Sequence, residues 1–87
     1  MKALITGSGG LIGSECVRAL CREGWDVVGI DNDMRAQFFG SQGTTRLVVE
    51  ELIATLPQYR HHDLDIRDRQ RLRDLLRHER PHCIIHT

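Results

Sequence analysis

Lys2-Ala3-Leu4-Ile5-Thr6-Gly7-Ser8-Gly9-Gly10-Leu11-Ile12-Gly13 is the stretch on which the reading of these 87 residues turns. The unbroken apolar run Ala3 to Ile5 reads as a strand covered on both faces, because a half-solvated strand would alternate. Glycines interrupt it at positions 7, 10 and 13, and helical spacing follows at once in Ile12, Cys16, Val17 and Leu20. Ser14, Glu15, Arg18, Arg22 and Glu23 fall on the opposite face, and Gly24 ends the helix as a left-handed cap. A strand that passes through such a turn into a helix gathers backbone N–H groups and a helix N-terminus at one point, which suits a pyrophosphate.

Working outward, Val27-Val28-Gly29-Ile30 is a second buried strand ending in Asp31-Asn32-Asp33. Strand, helix and strand within some thirty residues make a βαβ unit with parallel neighbouring strands. Residues 34–43 carry no period and read as a surface loop, in which Phe38-Phe39 folds back onto the core or, alternatively, walls a ligand site. A second helix follows, with Thr44 or Thr45 as its cap, Val48, Val49, Leu52, Ile53 and Leu56 inward, and Pro57 after its end. Tyr59-Arg60-His61-His62 is a third strand by its place in the rhythm. Asp68 caps a third helix with Leu72, Leu75 and Leu76 inward, and His82 to His86 form a fourth strand. The expected fold is α/β, a Rossmann-type, partial doubly wound parallel sheet of strand order 3-2-1-4. Its first two helices lie on one face and its third on the other. The crevice between strands 1 and 4 is the topological switch point, where ligands bind in such sheets.

Twelve basic and twelve acidic residues balance, so no net field draws nucleic acid or an anionic membrane. Arg69, Arg73 and Arg77 share a helical stripe, but Asp68, Asp74 and Glu79 interleave and no aromatic stands by to stack on a base, which favours a solvated face. The odd set Cys16, Cys21 and Cys83 has no C-x-x-C spacing and reads as small buried hydrophobes of a reduced, cytoplasmic protein. His61 and His62 point to opposite faces of a strand and do not readily share a metal.

A glycine triplet alone is weak evidence. Here a strand leads in, a helix leads out, and Asp31 ends the second strand 18 residues after Gly13, which together point to a dinucleotide site. Gly7 permits the sharp turn, Gly10 lets the backbone approach the pyrophosphate, and Gly13 lets helix and strand pack closely. Asp31 stands where an acid accepts hydrogen bonds from the adenosine ribose and repels a 2′-phosphate, so NAD is favoured over NADP. Arg35, which is able to pair with a 2′-phosphate, points the other way.

Thr6-Gly-x-x-Gly-x-x-Gly at the extreme N-terminus resembles the extended short-chain dehydrogenase/reductase superfamily, in its NAD-dependent epimerase/dehydratase branch. Asp31-Asn32 after the second strand, Asp65-Ile66-Arg67-Asp68 after the third and Ile85-His86-Thr87 at the end of the fourth agree with it. The stretch His61 to Asp68, with the long loop after Asp31-Asn32, looks most like the CDP-paratose 2-epimerase-like members. The resemblance implies that Gly7, Gly9, Gly10, Leu11, Ile12 and Gly13 hold the cofactor with Asp31 and Asn32. It also implies that Asp65 bonds the adenine amino group and Ile66 packs on the ring.

In that branch a Tyr-x-x-x-Lys pair and a Ser/Thr move protons while NAD moves hydride at a sugar carbon. Tyr59 and Lys2 are the only tyrosine and lysine here, so no such pair exists in these residues and no catalytic residue is assigned. Residues 1–87 are therefore expected to be a truncated, N-terminal NAD(P)-binding half-domain. A nucleotide sugar would bind only in a longer protein, and the family's dimer-forming helices are lacking. The other reading is a non-catalytic NAD-binding module or subunit, which a stop codon directly after Thr87 would favour.

Overall fold

The computed structural model describes residues 1–33 and 44–87. The loop reading of 34–43, with Arg35 and the Phe38-Phe39 pair, lies outside the described residues. Seven elements alternate along the chain: β1 (Lys2–Thr6), α1 (Leu11–Arg22), β2 (Asp26–Ile30), α2 (Arg46–Thr55), β3 (Tyr59–His62), α3 (Arg69–Glu79) and β4 (Cys83–His86). The four strands form one sheet of order β3-β2-β1-β4. Every pairing is parallel: Leu4 stands opposite Val28 and Ile84, and Gly29 opposite His61. This is the expected Rossmann-type topology.

Alternation along the strands divides the core in two. Ile5, Val27 and Tyr59 face α1 and α2, where Val17, Cys21 and Leu52 close over them. Leu4, Val28 and Ile30 face the other way, under Leu64 and Leu75. Both faces of β1 and β2 are thus covered, which is why those strands are continuous apolar runs rather than alternating ones. No helix among the described residues is long and apolar enough to cross a membrane.

Helix ends follow local chemistry. Asp68 accepts a hydrogen bond from the Arg71 N–H at the start of α3, as a capping carboxylate should. Gly24, with φ of +88°, lets the chain leave α1 in the left-handed region. At α2 the expectation holds through Thr44, whose hydroxyl accepts the N–H of Arg46, the first helical residue, at 3.2 Å. Thr45 is the N-cap residue by position, yet its hydroxyl makes no capping bond to the helix. That hydroxyl lies instead 2.9 Å from Asp31 Oδ1 and 3.2 Å from Asp33 Oδ1, and Asp33 Oδ1 accepts the Thr45 N–H at 2.7 Å. Asp33, just past the end of β2, thus holds the residue that precedes α2, while Thr44 takes the first helical N–H.

Two helix faces also differ from the periodicity. Ile12 is 63% exposed although the spacing turns it inward, and Ser14 is buried although the spacing turns it out. The arc of α1 against the sheet is Gly13, Ser14, Val17 and Cys21, because Gly13 lies directly on the glycine turn and fixes the rotation of the helix. Ile53 is likewise exposed, with Val49 and Leu52 carrying the buried stripe of α2. Cys21 is buried, which pushes its thiol above the ordinary range, while Cys16 and Cys83 are only half-buried.

Glu79 is the largest departure in α3. Read among the solvated acids of an arginine-rich helix, it is in fact 5% exposed. Its Oε1 receives Lys2 Nζ of β1 at 3.0 Å and Arg60 Nη2 of β3 at 2.6 Å, and His62 Nε2 approaches Oε2 at 3.7 Å. Burial alone would raise this carboxyl, but the Lys2 and Arg60 cations outweigh it and hold it below its ordinary value. The end of α3 is thereby tied across the sheet to two strands. Arg69, Arg73 and Arg77 are exposed along the same helix.

Candidate functional site

The turn between β1 and α1 is built backwards from one carbonyl. Ile30 O, at the end of β2, accepts the N–H of Gly7 at 2.7 Å and of Ser8 at 3.2 Å, so the turn is pinned to the neighbouring strand. Gly7 takes φ of +67°, and a Cβ there would stand 2.7 Å from Thr87 Oγ1. Gly10 N–H closes the turn on Gly7 O at 3.0 Å, after which Ser14 N–H makes the first helical bond, to Gly10 O. Helix geometry leaves the N–H groups of Leu11, Ile12 and Gly13 without an intrahelical acceptor, and they carry the positive end of the α1 dipole.

Gly13 is required by contact alone. A Cβ on it would run into Gly7 O and stand 3.1 Å from Ser8 Cα, both backbone. Gly10 is different: its backbone is extended, and the nearest atom to an added Cβ is Gly7 O at 3.3 Å. Its bare Cα faces a cavity of about 400 Å³, within the range of small-molecule sites.

That cavity lies at the C-terminal ends of β1, β2 and β4, at the switch point. Gly7, Gly10, Leu11, Ile12 and Gly13 form its floor, Asp31 and Asn32 one wall, and Leu64 and Ile66 an apolar flank. Eight of the ten residues picked from the sequence therefore line one space. Gly9 does not; it packs beneath, where a Cβ would press on Thr45 and Val49 of α2. Asp65 does not either. Its carboxylate is engaged by Arg67, through Nε at 3.0 Å and Nη2 at 2.6 Å, and these hydrogen bonds hold its pKa down to about 2.

Asp31 is held from three sides. Gly9 N–H donates to Oδ2 at 2.9 Å, while Asp33 N–H at 2.7 Å and the Thr45 hydroxyl at 2.9 Å reach Oδ1. Its neighbour Asp33 is in the left-handed region and accepts the Thr44 hydroxyl at 2.6 Å, which together with the Thr45 contacts keeps its carboxyl below the ordinary range. A carboxylate so clamped presents a fixed negative charge at the cavity wall.

Sequence reading missed Thr6, Ile30, Thr45, Leu64 and Thr87 as lining residues. Thr87 Oγ1 donates to Thr6 O at 2.6 Å and Thr6 Oγ1 lies 2.7 Å from His86 Nδ1, which locks the ends of β1 and β4 together. His86 is used in that lock, and Thr87 is the residue at the cavity. A strand partner's last residue gives no periodic signal, so only the topology finds it.

The site's residues suit a dinucleotide. The free amides and the helix dipole meet a pyrophosphate, Asp31 meets hydroxyls, and the apolar flank meets a flat base. Comparison with known proteins agrees. The model of the NAD dependent epimerase/dehydratase family matches residues 3–87. Among solved structures, the UDP-Glc/GlcNAc 4-epimerase of Campylobacter jejuni is 28% identical, with a TM-score of 0.78 over 99% of this chain and 23% of its own. UDP-glucose-4-epimerase from Stenotrophomonas maltophila, with bound NAD and formylated UDP-arabinopyranose, is 27% identical with a TM-score of 0.78, covering 100% of this chain and 24% of its own. The Bordetella bronchiseptica enzyme WbmH, in complex with NAD+, is 29% identical with a TM-score of 0.77, covering 99% and 25%. The chain thus spans about a quarter of the length of these structures. No curated protein sequence matches it.

Proposed function

The chain belongs to the NAD dependent epimerase/dehydratase family, and on that footing we propose that it is the NAD-binding part of a nucleotide-sugar epimerase or dehydratase. The observation that carries the reading is the convergence of the α1 N-terminus, the bare Gly10 and the clamped Asp31 on one cavity. Leu11, Ile12 and Gly13 amides hold the pyrophosphate, Asp31 and Asn32 the adenosine ribose, and Ile66 the adenine ring. For Asp65 to accept from the adenine amino group, Arg67, which donates to both carboxylate oxygens through its backbone N–H, Nε and Nη2, has to give up part of that hold. NAD, when bound, supplies hydride exchange at a sugar carbon; these residues bind and orient it.

Among the described residues that line the cavity there is no tyrosine or lysine to move a substrate proton. Tyr59 is buried with its hydroxyl on Ser8, and burial pushes its pKa up to about 12, far from working pH. Lys2 is tied to Glu79 at the opposite end of β1. A catalytic Tyr-x-x-x-Lys, and with it the sugar site and any homodimer, belongs to sequence beyond these residues. Within the family, the wording of His61 to Asp68 favours CDP-paratose 2-epimerase-like members, whereas the similar structures named above include epimerases of UDP sugars.

NAD is preferred over NADP because a 2′-phosphate would meet Asp31 directly and Asp33 behind it. Each such repulsion in a half-exposed site is on the order of 1 kcal/mol. Calorimetry on the 87-residue chain is expected to show saturable one-to-one binding of NAD and at least roughly tenfold weaker binding of NADP. Absence of NAD binding to folded protein overturns the function; equal affinity for the two overturns the preference.

A further inference from the structure

Behind the glycine turn runs a chain of three polar side chains that the cofactor cavity does not touch. Ser8, inside the turn, is 0% exposed, and its Oγ lies 2.8 Å from Tyr59 Oη. Tyr59 Oη in turn lies 3.0 Å from Nδ1 of His61, two residues along β3 on the same face. Gly29 of β2 lies beneath the meeting point: a Cβ there would overlap both Tyr59 Oη and Ser8 Oγ. The turn, β2 and β3 are therefore all shaped around one buried contact.

We propose that Ser8, Tyr59 and His61 form a hydrogen-bonded strut that positions the glycine turn and makes NAD binding depend on the protonation of His61. The inference rests on the turn being the cofactor turn. Its logic is a count of hydrogens. Each hydroxyl has one to donate. With His61 neutral and Nδ1 an acceptor, Tyr59 donates to His61 and Ser8 donates to Tyr59, so every hydrogen is used. When His61 takes one proton from solvent, Nδ1 becomes a donor to Tyr59, and Tyr59 must turn its hydrogen onto Ser8. The Ser8 hydrogen is then driven off its partner in a fully buried place, which the turn relieves only by shifting.

The surroundings of His61 set the direction. Burial disfavours its cation and outweighs Asp31, at the end of β2, and Asp63, next along the chain, both of which favour it; His62 opposes the cation too. Its proton affinity is thus below that of an ordinary histidine. NAD, by selecting the ordered turn, lowers it further, because coupling between two binding events is reciprocal.

The test is calorimetry of NAD with the full chain from pH 8 to pH 5, with circular dichroism confirming the fold at each pH. The Kd is expected to be flat above about pH 7.5 and to rise roughly tenfold as pH falls through and below the ordinary histidine range near ~6.5. Tyr59→Phe keeps the ring and cuts the strut. It is expected to raise the Kd several-fold at pH 7.5 and to abolish the pH dependence, whereas a purely structural tyrosine would lower the melting temperature and leave the slope. Ser8→Ala cuts the same strut at its other end with a smaller change and serves where Tyr59→Phe does not fold. A native Kd unchanged across the range, or a slope that survives either variant, overturns the strut. No NAD binding at any pH overturns the function itself.

Discussion

Gly13→Ala is expected to lower the melting temperature by roughly 8 to 16 °C, although the substitution replaces glycine by the best helix former inside a helix. Propensity alone predicts a gain of about 1 kcal/mol. Against it stands the overlap of the new Cβ with Gly7 O and its close approach to Ser8 Cα. Those are backbone atoms of a turn whose Gly7 and Ser8 N–H groups are pinned to Ile30 O, so neither moves aside as a flexible side chain would. Overpacking of this kind costs up to about 3 kcal/mol, which leaves a net loss near ~2 kcal/mol. In a domain of this size each kcal/mol is worth about 4 to 8 °C. Thermal unfolding followed by circular dichroism checks the outcome; an alanine variant as stable as the native chain would show that helix and turn do not touch as described.

Gly10→Val makes the complementary separation. Position 10 has an extended backbone that any residue adopts, and an added Cβ meets only Gly7 O at 3.3 Å. The fold is expected to survive with its melting temperature within about 4 °C of native, a loss under ~1 kcal/mol. The isopropyl group enters the cavity beside the α1 amides, so NAD affinity is expected to fall at least roughly 100-fold, about 2.7 kcal/mol. Paired calorimetry and melting curves read both effects on one sample. Affinity within threefold of native would mean that ligand does not pass over Gly10.

These two glycines show how far the sequence goes and where it stops. Their spacing, with the strand before and the helix after, places the turn, and the alternation of strands and helices along the chain gives the βαβ unit and the strand order. The pattern works because backbone sterics at a glycine are local and leave a mark in the residue type itself. Of the eight chosen residues that line the cavity, three are the turn glycines, and the other five stand at the start of α1 or after β2 and β3, which the parallel topology brings together.

What stayed illegible depends on contacts between distant residues. Glu79 carries the composition of a solvated helix face and becomes buried only because Lys2 and Arg60 meet it from β1 and β3. Asp33 looks like a turn residue, yet its carboxylate holds the N–H of Thr45, the residue before α2, twelve positions further on. Ser8 reads as a spacer between glycines, and nothing in its neighbours announces Tyr59, 51 residues away. Ile12 and Ser14 exchanged places because the packing of Gly13 on the turn, rather than the mean of the apolar positions, fixes how α1 is rotated.

Binding of NAD by this turn and cavity is tested at the level of single residues by an amide-resolved NMR titration of the 87-residue chain. Saturable shifts are expected on the amides of Gly7 to Gly13, on Asp31 and Asn32, and on Ile66, with the far ends of the strands around Lys2 and Glu79 unmoved. Shifts that cluster elsewhere, or a spectrum of folded protein that NAD leaves unchanged, would contradict it.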